Sequence, residues 1–382
     1  MSADEWHEDP LEIQRSVPVT IMRGGTSKGV FIEEQYLPPA GALRDRILLS
    51  LMGSPNPMQI DGLGGTHSST SKVMVVVPSS EPGVDLGYWF AQIGVDQAVV
   101  DASGNCGNLT TAVAPFAIEN KIIDVADGEA TIRMKNLNTG IVIESIVKVR
   151  QGHAQVRGDV AVSGVPGTGA PIHTKYLDPA GGVLGKALPT GARADRIAVG
   201  DVAYQVSILD VTHPVVFAES SGFGLDLHSV NTNALNRQPD LLAAIERLRG
   251  TCAVRLGTAE SAERAAAESS TIPNIVLLQP SDEPGADILA LAVSMGKFHH
   301  ALPVTVSLCM AAAADIAGTL VHGLVPGKER GALRIKHPKG TIEVSAEVQD
   351  AGAAPIVKSV SIVRTARKLL SGTAYYEDNS DS

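Results

Sequence analysis

The sequence predicts an α+β protein of two similar halves, each a mostly antiparallel sheet carrying two helices, and three observations lead there. The chain has 382 residues, 44% of them apolar and 19% charged, which exceeds one ordinary domain and suffices for sizeable cores. Only 4% are aromatic, so those cores must be built from Val, Ile, Leu and Ala. The chain also repeats itself. "SSTSKVMVVVPSSEPGVD" (68–85) matches "STIPNIVLLQPSDEPGAD" (270–287) without a gap: Ser68, Pro78, Ser79, Glu81, Pro82, Gly83 and Asp85 stand against Ser270, Pro280, Ser281, Glu283, Pro284, Gly285 and Asp287. "TIRMKNLNTGIVIE" (131–144) resembles "ALRIKHPKGTIEV" (332–344) at nearly the same offset, with Arg133 and Lys135 against Arg334 and Lys336. Two matches in one order at one offset indicate duplication.

Each half predicts the same elements in the same order. A β-branched run with a polar turn comes first, "VPVTIMRGGTSKGVFI" (17–32) or "QVSILDVTHPVVFAE" (205–219). A helix follows, "AGALRDRILLSLMG" (40–53) or "PDLLAAIERLRGTCAVRL" (239–256), and then a strand bounded by Pro and Ser, "KVMVVVP" or "NIVLLQP". Next is a more apolar helix, "GNLTTAVAPFAIENK" (107–121) or "LPVTVSLCMAAAADIAGTL" (302–320). Alternating strands close each half: "ATIRMKN" and "IVIESIVKVR" in one, "RIKH" and "TIEVSAEVQ" in the other. Runs of strands with so few helices favour α+β over a doubly wound parallel sheet. The Gly- and Pro-rich stretch 164–191 reads as a linker, which places an N-terminal domain at 1–190 and its duplicate at 191–382. A duplicated protein of this kind normally builds its site in the cleft between halves.

Composition narrows the function. A net charge of −10 argues against nucleic acid, which needs a basic surface, but allows an acidic small molecule in a local cationic pocket. The three cysteines, 106, 252 and 309, are far apart and show no paired Cys/His spacing, so neither a disulfide framework nor a zinc site is expected. The start of the chain is acidic without an apolar run, and no stretch approaches the ~20 apolar residues that cross a bilayer. A cytoplasmic protein without a membrane partner is the expectation.

Polar positions differ between the halves, and the first half carries the specialised ones. "MRGGTSKG" (22–29) is a Gly-rich turn between strands, without P-loop spacing; Thr26, Ser27 and Lys28 can present donors to a carboxylate, or be solvated turn residues. "DGLGGTHSSTSKV" (61–73) ends at Lys72, where a strand begins, and Asn274 replaces that lysine in the second half. A lysine beside an apolar strand is a usable base or a snorkelling structural residue, and its loss from the duplicate favours function. "SGNCGN" puts Cys106 before a helix, where N–H groups stabilise a thiolate or hold a carboxylate. Redox thiol, nucleophile, acid/base group and turn residue all remain open for it. In the second half "MGKFHHALP" (295–303) sets the pair His299–His300 opposite Cys106; adjacent histidines diverge, so no metal site is expected. Cys252 and Cys309 lie in apolar helices and read as packing residues.

"MRGGTSKG", "DGLGG…SSTSKV", "SGNCGNLTTAV", "GVPGTGAPI", "MGKFHHA" and "RTARKLLSGTAYY" together resemble the PrpF family of methylaconitate and aconitate isomerases, along almost the whole chain. The resemblance implies a fold like diaminopimelate epimerase, with each of two pseudo-symmetric domains wrapping its sheet around a central helix. It implies cofactor-free movement of a proton across the allylic system of an unsaturated tricarboxylate, 2-methylaconitate or aconitate. Lys72 and Cys106 would be the acid/base pair, since "KFHHALP" supplies no second thiol. Substrate contacts would come from Arg23, Gly25, Thr26, Ser27 and Lys28, from Ser69, Thr70 and Ser71, from Asn105, Gly107 and Asn108, and from Lys297 and His300. The partner is then a di- or tricarboxylate, no metal or cofactor is called for, and a homodimer is allowed. Relatives acting on 4-oxalomesaconate tend to read "LTSKV" where this chain has "SSTSKV". Hydroxyproline-type epimerases and non-catalytic binding proteins share the fold and stand as alternatives.

Overall fold

The computed structural model describes residues 14–102, 104–327, 332–350 and 354–377. The chain divides into two compact units, Met1–Thr174 with Val363–Ser382, and Lys175–Ile362. In the first, β1 (Arg15–Gly24) and β2 (Ser27–Glu33) form a hairpin in register from Thr20↔Phe31 to Gly24↔Ser27, with Gly25 and Thr26 as its turn. Gly25 has φ +49°, the left-handed backbone that a two-residue turn asks of its first position. α1 (Ala42–Met52) crosses over to β3 (Lys72–Pro78), which runs parallel to β2 with Val30 beside Val73. β4 (Leu86–Ile93) returns antiparallel, and β5 (Val100–Asp101) leads into α2 (Gly107–Glu119). β6 (Gly128–Asn136) lies parallel to β4, and β7 (Val142–Arg150) pairs with β6. The short strands β8 (His153–Ala154), β9 (Val160–Ala161) and β10 (Thr168–Gly169) precede β11 (Ile172–Leu177).

Alternation along the strands sends different residues to the two faces of this sheet. Val17, Val19, Val30, Ile32, Val73 and Val75 meet Ile47, Leu48, Leu51 and Met52 of α1. Each such aliphatic side chain, fully buried, contributes roughly 1.5–3 kcal/mol. The opposite face carries α2, buried at nearly every position from Gly107 to Ile118, as expected of a helix that is apolar all round.

The second unit repeats the order. β12 (Asp195–Val199), β13 (Val202–Val211) and β14 (His213–Glu219) are followed by α3 (Thr232–Leu235), α4 (Pro239–Arg255) and α5 (Ala265–Glu268). β15 (Asn274–Pro280) lies parallel to β14, β16 (Ile288–Ser294) returns, and β17 (Lys297–Phe298) leads into α6 (Val304–Asp315), buried like α2. After α7 (Leu320–Leu324) come β18 (Ala332–His337), parallel to β16, and β19 (Gly340–Gln349) and β20 (Ile356–Arg364). The most visible repeat proves to be a turn. Ser79 Oγ accepts from Glu81 N at 3.0 Å and Ser281 Oγ from Glu283 N at 3.2 Å. The Asp85 carboxylate takes Arg133 N at 2.8 Å, as Asp287 takes Arg334 N at 2.7 Å, and Glu81–Lys135 is matched by Glu283–Lys336.

Three expectations need correction. The stretch 164–191 is not a free linker, because β11 lies within it, and the first unit ends at Thr174 rather than near residue 190. The last strand, β21 (Ala366–Tyr376), belongs with the first unit, paired along β1 from Arg15↔Tyr376 to Gly24↔Ala366. A repeat offset carries no information about such a return. Cys106 is the N-cap of α2, and the N-cap of the equivalent α6 is Pro303, so the counterpart of Cys106 is Pro303 and not the histidine pair. Residues 1–13, with the acidic start of the chain, lie outside the described residues. No helix among those described is long and apolar enough to cross a membrane.

Cys252 and Cys309 are fully buried, and burial pushes the Cys252 thiol up to about 12 and the Cys309 thiol up as well. In the same unit His213 has its Nε2 2.9 Å from the Thr271 carbonyl, and burial pushes its pKa down. A neutral buried imidazole opposes protonation, whereas the unfolded chain takes the proton near pH ~6.5. The unfolded state therefore binds more protons below that pH, and this contribution to stability is present above it and lost as the pH falls. Urea midpoints from pH 8 to 5 should drop, and His213→Asn should flatten the drop.

Candidate active site

The turn at residues 24–27 is fastened to the first turn of α2. Thr26 N donates to Asn108 Oδ1 at 3.3 Å, and Asn108 Nδ2 donates back to Thr26 Oγ1 at 3.1 Å. This approach is close enough to require glycine: a Cβ on Gly24 would sit 2.4 Å from the Asn108 carbonyl oxygen, and one on Gly25 2.0 Å from Asn108 Oδ1. From the other side, Thr365 gives its carbonyl to Gly25 N at 2.9 Å and to Arg23 Nη1 at 2.8 Å. Arg23 also donates to the Gly25 carbonyl, while burial and the neighbouring Arg367 lower its pKa.

Cys106 caps α2 through its backbone. Its carbonyl accepts from Thr110 N at 2.9 Å and Thr110 Oγ1 at 3.1 Å, and its side chain makes no capping bond. The thiol is thereby left for other work; it is 8% exposed, and Sγ lies 3.8 Å from Ser27 Oγ. Asn105 Oδ1 accepts from Thr110 Oγ1 at 3.0 Å and from the Tyr88 hydroxyl at 3.5 Å. Helix geometry leaves the N–H groups of the first turn, Gly107 among them, without intrahelical acceptors and with the positive end of the helix dipole.

Lys72 opens β3 on the same face of the sheet as Ser27. Parallel register sets it beside Gly29, and a Cβ on Gly29 would lie 3.4 Å from Lys72 Cβ and 2.6 Å from Leu109 Cδ1 of α2. The row Ser27, Gly29, Phe31 on β2 thus faces Cys106, Leu109 and Phe116 on α2; the Phe31 and Phe116 rings are 5.3 Å apart. Lys72 Nζ donates to Gln92 Oε1 at 2.5 Å and lies 5.1 Å above the Phe90 ring. Gln92 is itself held, its amide donating to the carbonyls of Ser68 at 3.1 Å and Ser71 at 2.8 Å.

The other expected contacts divide by what their side chains already do. Ser71 is fully buried and accepts from Gln59 Nε2 at 2.7 Å, and Thr70 Oγ1 bonds the Gly65 carbonyl at 2.7 Å. Ser69 Oγ is 3.1 Å from His67 Nδ1. Alternation puts Arg23 and Lys28 on the opposite face of the hairpin from Ser27, with Lys28 Nζ 3.5 Å from where a Gly65 Cβ would be. Arg23, Asn105, Asn108, Thr70 and Ser71 thus each make at least one hydrogen bond that fixes a loop around the turn. Lys297 and His300 belong to the second unit, where Lys297 is exposed and His300 Nδ1 is 2.8 Å from Thr232 Oγ1.

Sequence reasoning missed Gln92, Tyr88 and Asn138. Asn138 bonds Phe90 N, Phe90 O and Ala102 O at 2.8–2.9 Å, anchoring the loop before Cys106. Gln92 was discoverable, because it is the one amide side chain in the strand "LGYWFAQI" and the hairpin register sets it opposite Lys72. On the expectation that Lys72 is one of the acid/base pair, replacing Gln92 by Met should lower kcat about 10²-fold, the cost of a misplaced reacting group, with little change in melting temperature; steady-state kinetics and thermal denaturation check both.

The model of the PrpF protein family matches residues 14–377. The chain belongs to the PrpF family. It is 35% identical over 380 residues to 3-methylitaconate isomerase of Eubacterium barkeri, covering 95% of this chain and 98% of that one. It is 37% identical over 387 residues to 2-methyl-aconitate isomerase of Cupriavidus necator, at 94% and 96% coverage. A third relative, (4E)-oxalomesaconate Delta-isomerase of a Novosphingobium strain, is 36% identical at 94% and 97% coverage. Among solved structures, a methylitaconate-delta-isomerase superposes with a TM-score of 0.83 at 34% identity, covering 95% of this chain and 96% of that one. A hydroxyproline epimerase from Agrobacterium vitis reaches 0.56 at 12% identity, with 95% and 94% coverage, which is likeness of fold alone. This PrpF-family chain is an isomerase with the epimerase-like α+β architecture that the sequence predicts.

Proposed function

We propose that this PrpF-family isomerase shifts a double bond in an unsaturated tricarboxylate, 2-methylaconitate or aconitate, by moving a proton between two allylic carbons with Lys72 and Cys106. One observation carries the reading: Lys72 and Cys106 share the sheet face on which Ser27 and Gly29 meet α2, and the duplicate has Asn274 and Pro303 in their places. The two positions able to exchange protons are therefore special to one half, and the fold does not require them.

A C–H bond next to the double bond breaks, its proton goes to one of the two groups, and its electron pair spreads through the alkene into a carboxylate. The other group returns a proton at the far allylic carbon, and the double bond moves over with no net change in atoms or electrons. Gln92 takes one N–H of Lys72 and so orients the amine. The N–H groups opening α2 stabilise the developing negative charge, which is where such donors act most strongly. A positioned side-chain acid or base contributes about 10²–10⁴-fold.

The family kinship to an oxalomesaconate isomerase supports 4-oxalomesaconate as a second substrate to test. Epimerisation is less favoured, because Pro303 at the cap of α6 supplies no second acid/base side chain. Incubation with cis- and trans-aconitate, 2-methylaconitate and 4-oxalomesaconate in heavy water, followed by proton NMR, tests the proposal. Interconversion of a tricarboxylate with deuterium at the allylic carbon is expected, and no interconversion of any of them would sink it.

A further inference from the structure

The chain contains a partly buried arginine whose charge no described residue balances. Val360, Ile362 and Arg364 alternate onto one face of β20, and the first two are buried at 0% and 2% exposure. The Arg364 guanidinium ends this apolar row. Its Nε is buried without a hydrogen-bond partner, and Nη1 reaches the carbonyl of the adjacent Val363 at 3.2 Å. No carboxylate pairs with it among the described residues. The fully buried arginines are treated differently: Arg249 is held by Glu246 and the Ser269 carbonyl, and Arg44 by Glu34 and the Pro38 carbonyl. Burial alone pulls the Arg364 pKa down to about 10. A partly desolvated cation with no counter-charge is destabilising, and such a charge persists where an anion completes it in the working state.

Its place in the chain says which anion. Thr365, the next residue, holds Gly25 N and the Arg23 guanidinium through its carbonyl, so Arg364 is one residue from the turn that Asn108 ties to the start of α2. We propose that Arg364 is a carboxylate-binding residue, its planar fork fastening a substrate carboxylate that does not react, next to the Gly25 turn. This deepens the reading of the site as one for an unsaturated tricarboxylate and rests on it. Guanidinium suits the task because it stays charged and offers two parallel N–H donors to one carboxylate.

Tricarballylate, a saturated tricarboxylate that has no double bond to move, probes binding apart from turnover. It should raise the melting temperature of the wild-type protein and of Lys368→Met, an exposed cation nearby on β21. Arg364→Met should abolish that rise, leave the melting temperature without ligand unchanged or higher, and raise KM about ten- to a hundredfold with a smaller effect on kcat. Arg364→Lys keeps the charge without the fork, should lose most of the rise, and carries the test if Arg364→Met does not fold. An undiminished rise in the Arg364 variants, or no rise in the wild type, overturns the proposal. Failure of the wild type to turn over any of the unsaturated acids removes the isomerase substrate instead, and the tricarballylate response still decides Arg364.

Discussion

Lys72→Ala and Cys106→Ser are each expected to lower kcat about 10²–10⁴-fold while leaving the fold intact, the range for removal of a positioned acid or base. Cys106 caps α2 through its carbonyl and not its side chain, so a serine keeps the helix and loses only a thiol that shuttles protons far more readily than a hydroxyl. Gln92 stays anchored to the Ser68 and Ser71 carbonyls when Lys72 is cut back, so the loop before β3 should hold its shape. Lys72→Arg separates charge from proton transfer, since guanidinium remains protonated and should stay inactive. NMR in heavy water distinguishes the two roles. A variant that retains only one group should exchange deuterium at one allylic carbon without completing the isomerisation. Full turnover in both variants would remove this pair from the chemistry, even though the chain remains a PrpF-family member.

The largest structural effect is expected at Gly24. An alanine there would place its Cβ 2.4 Å from the Asn108 carbonyl oxygen and 3.1 Å from Leu109 Cα, both backbone atoms of the buried α2. Neither can yield without moving the helix, and overpacking of this kind costs about 1–3 kcal/mol or more. Gly24→Ala should lower the melting temperature clearly and reduce kcat beyond the stability loss, because the hairpin turn and Cys106 would be pushed apart. Gly25→Ala meets the Asn108 side chain instead, at 2.0 Å, with an added conformational penalty at φ +49°. Adding Asn108→Ala should therefore recover part of the stability of Gly25→Ala and none of that of Gly24→Ala. Thermal denaturation of the two pairs separates these cases.

The fold was readable in the sequence to the extent that its signals were local or repeated. Apolar periodicity located the four long helices within a few residues, and "PSSEPGVD" against "PSDEPGAD" exposed the duplication, because the same turn hydrogen bonds recur in both units. The position opposite Cys106 was misread by three residues, since only the helix caps show that Pro303 occupies it. Arg364 was passed over inside "RTARK", as its significance lies in what it lacks around it, and no sequence pattern records a missing partner.

By itself the sequence determined an α+β duplicate with the kinship of an isomerase family, and it singled out Lys72 and Cys106 as residues of one half only. Those conclusions follow from short-range patterns and from comparison of one half with the other. Tertiary structure decided what else the surrounding polar residues do. Asn105, Asn108 and Arg23 look like ligand contacts in the sequence, and in the fold Asn108 and Arg23 also hold the turn at residues 24–27 while Asn105 accepts from Thr110. Gln92 acquires its role from a cross-strand register, and Arg364 from a buried Nε that no neighbour meets. A side chain's chemistry is written in its type, whereas its availability depends on neighbours that the chain brings close only on folding.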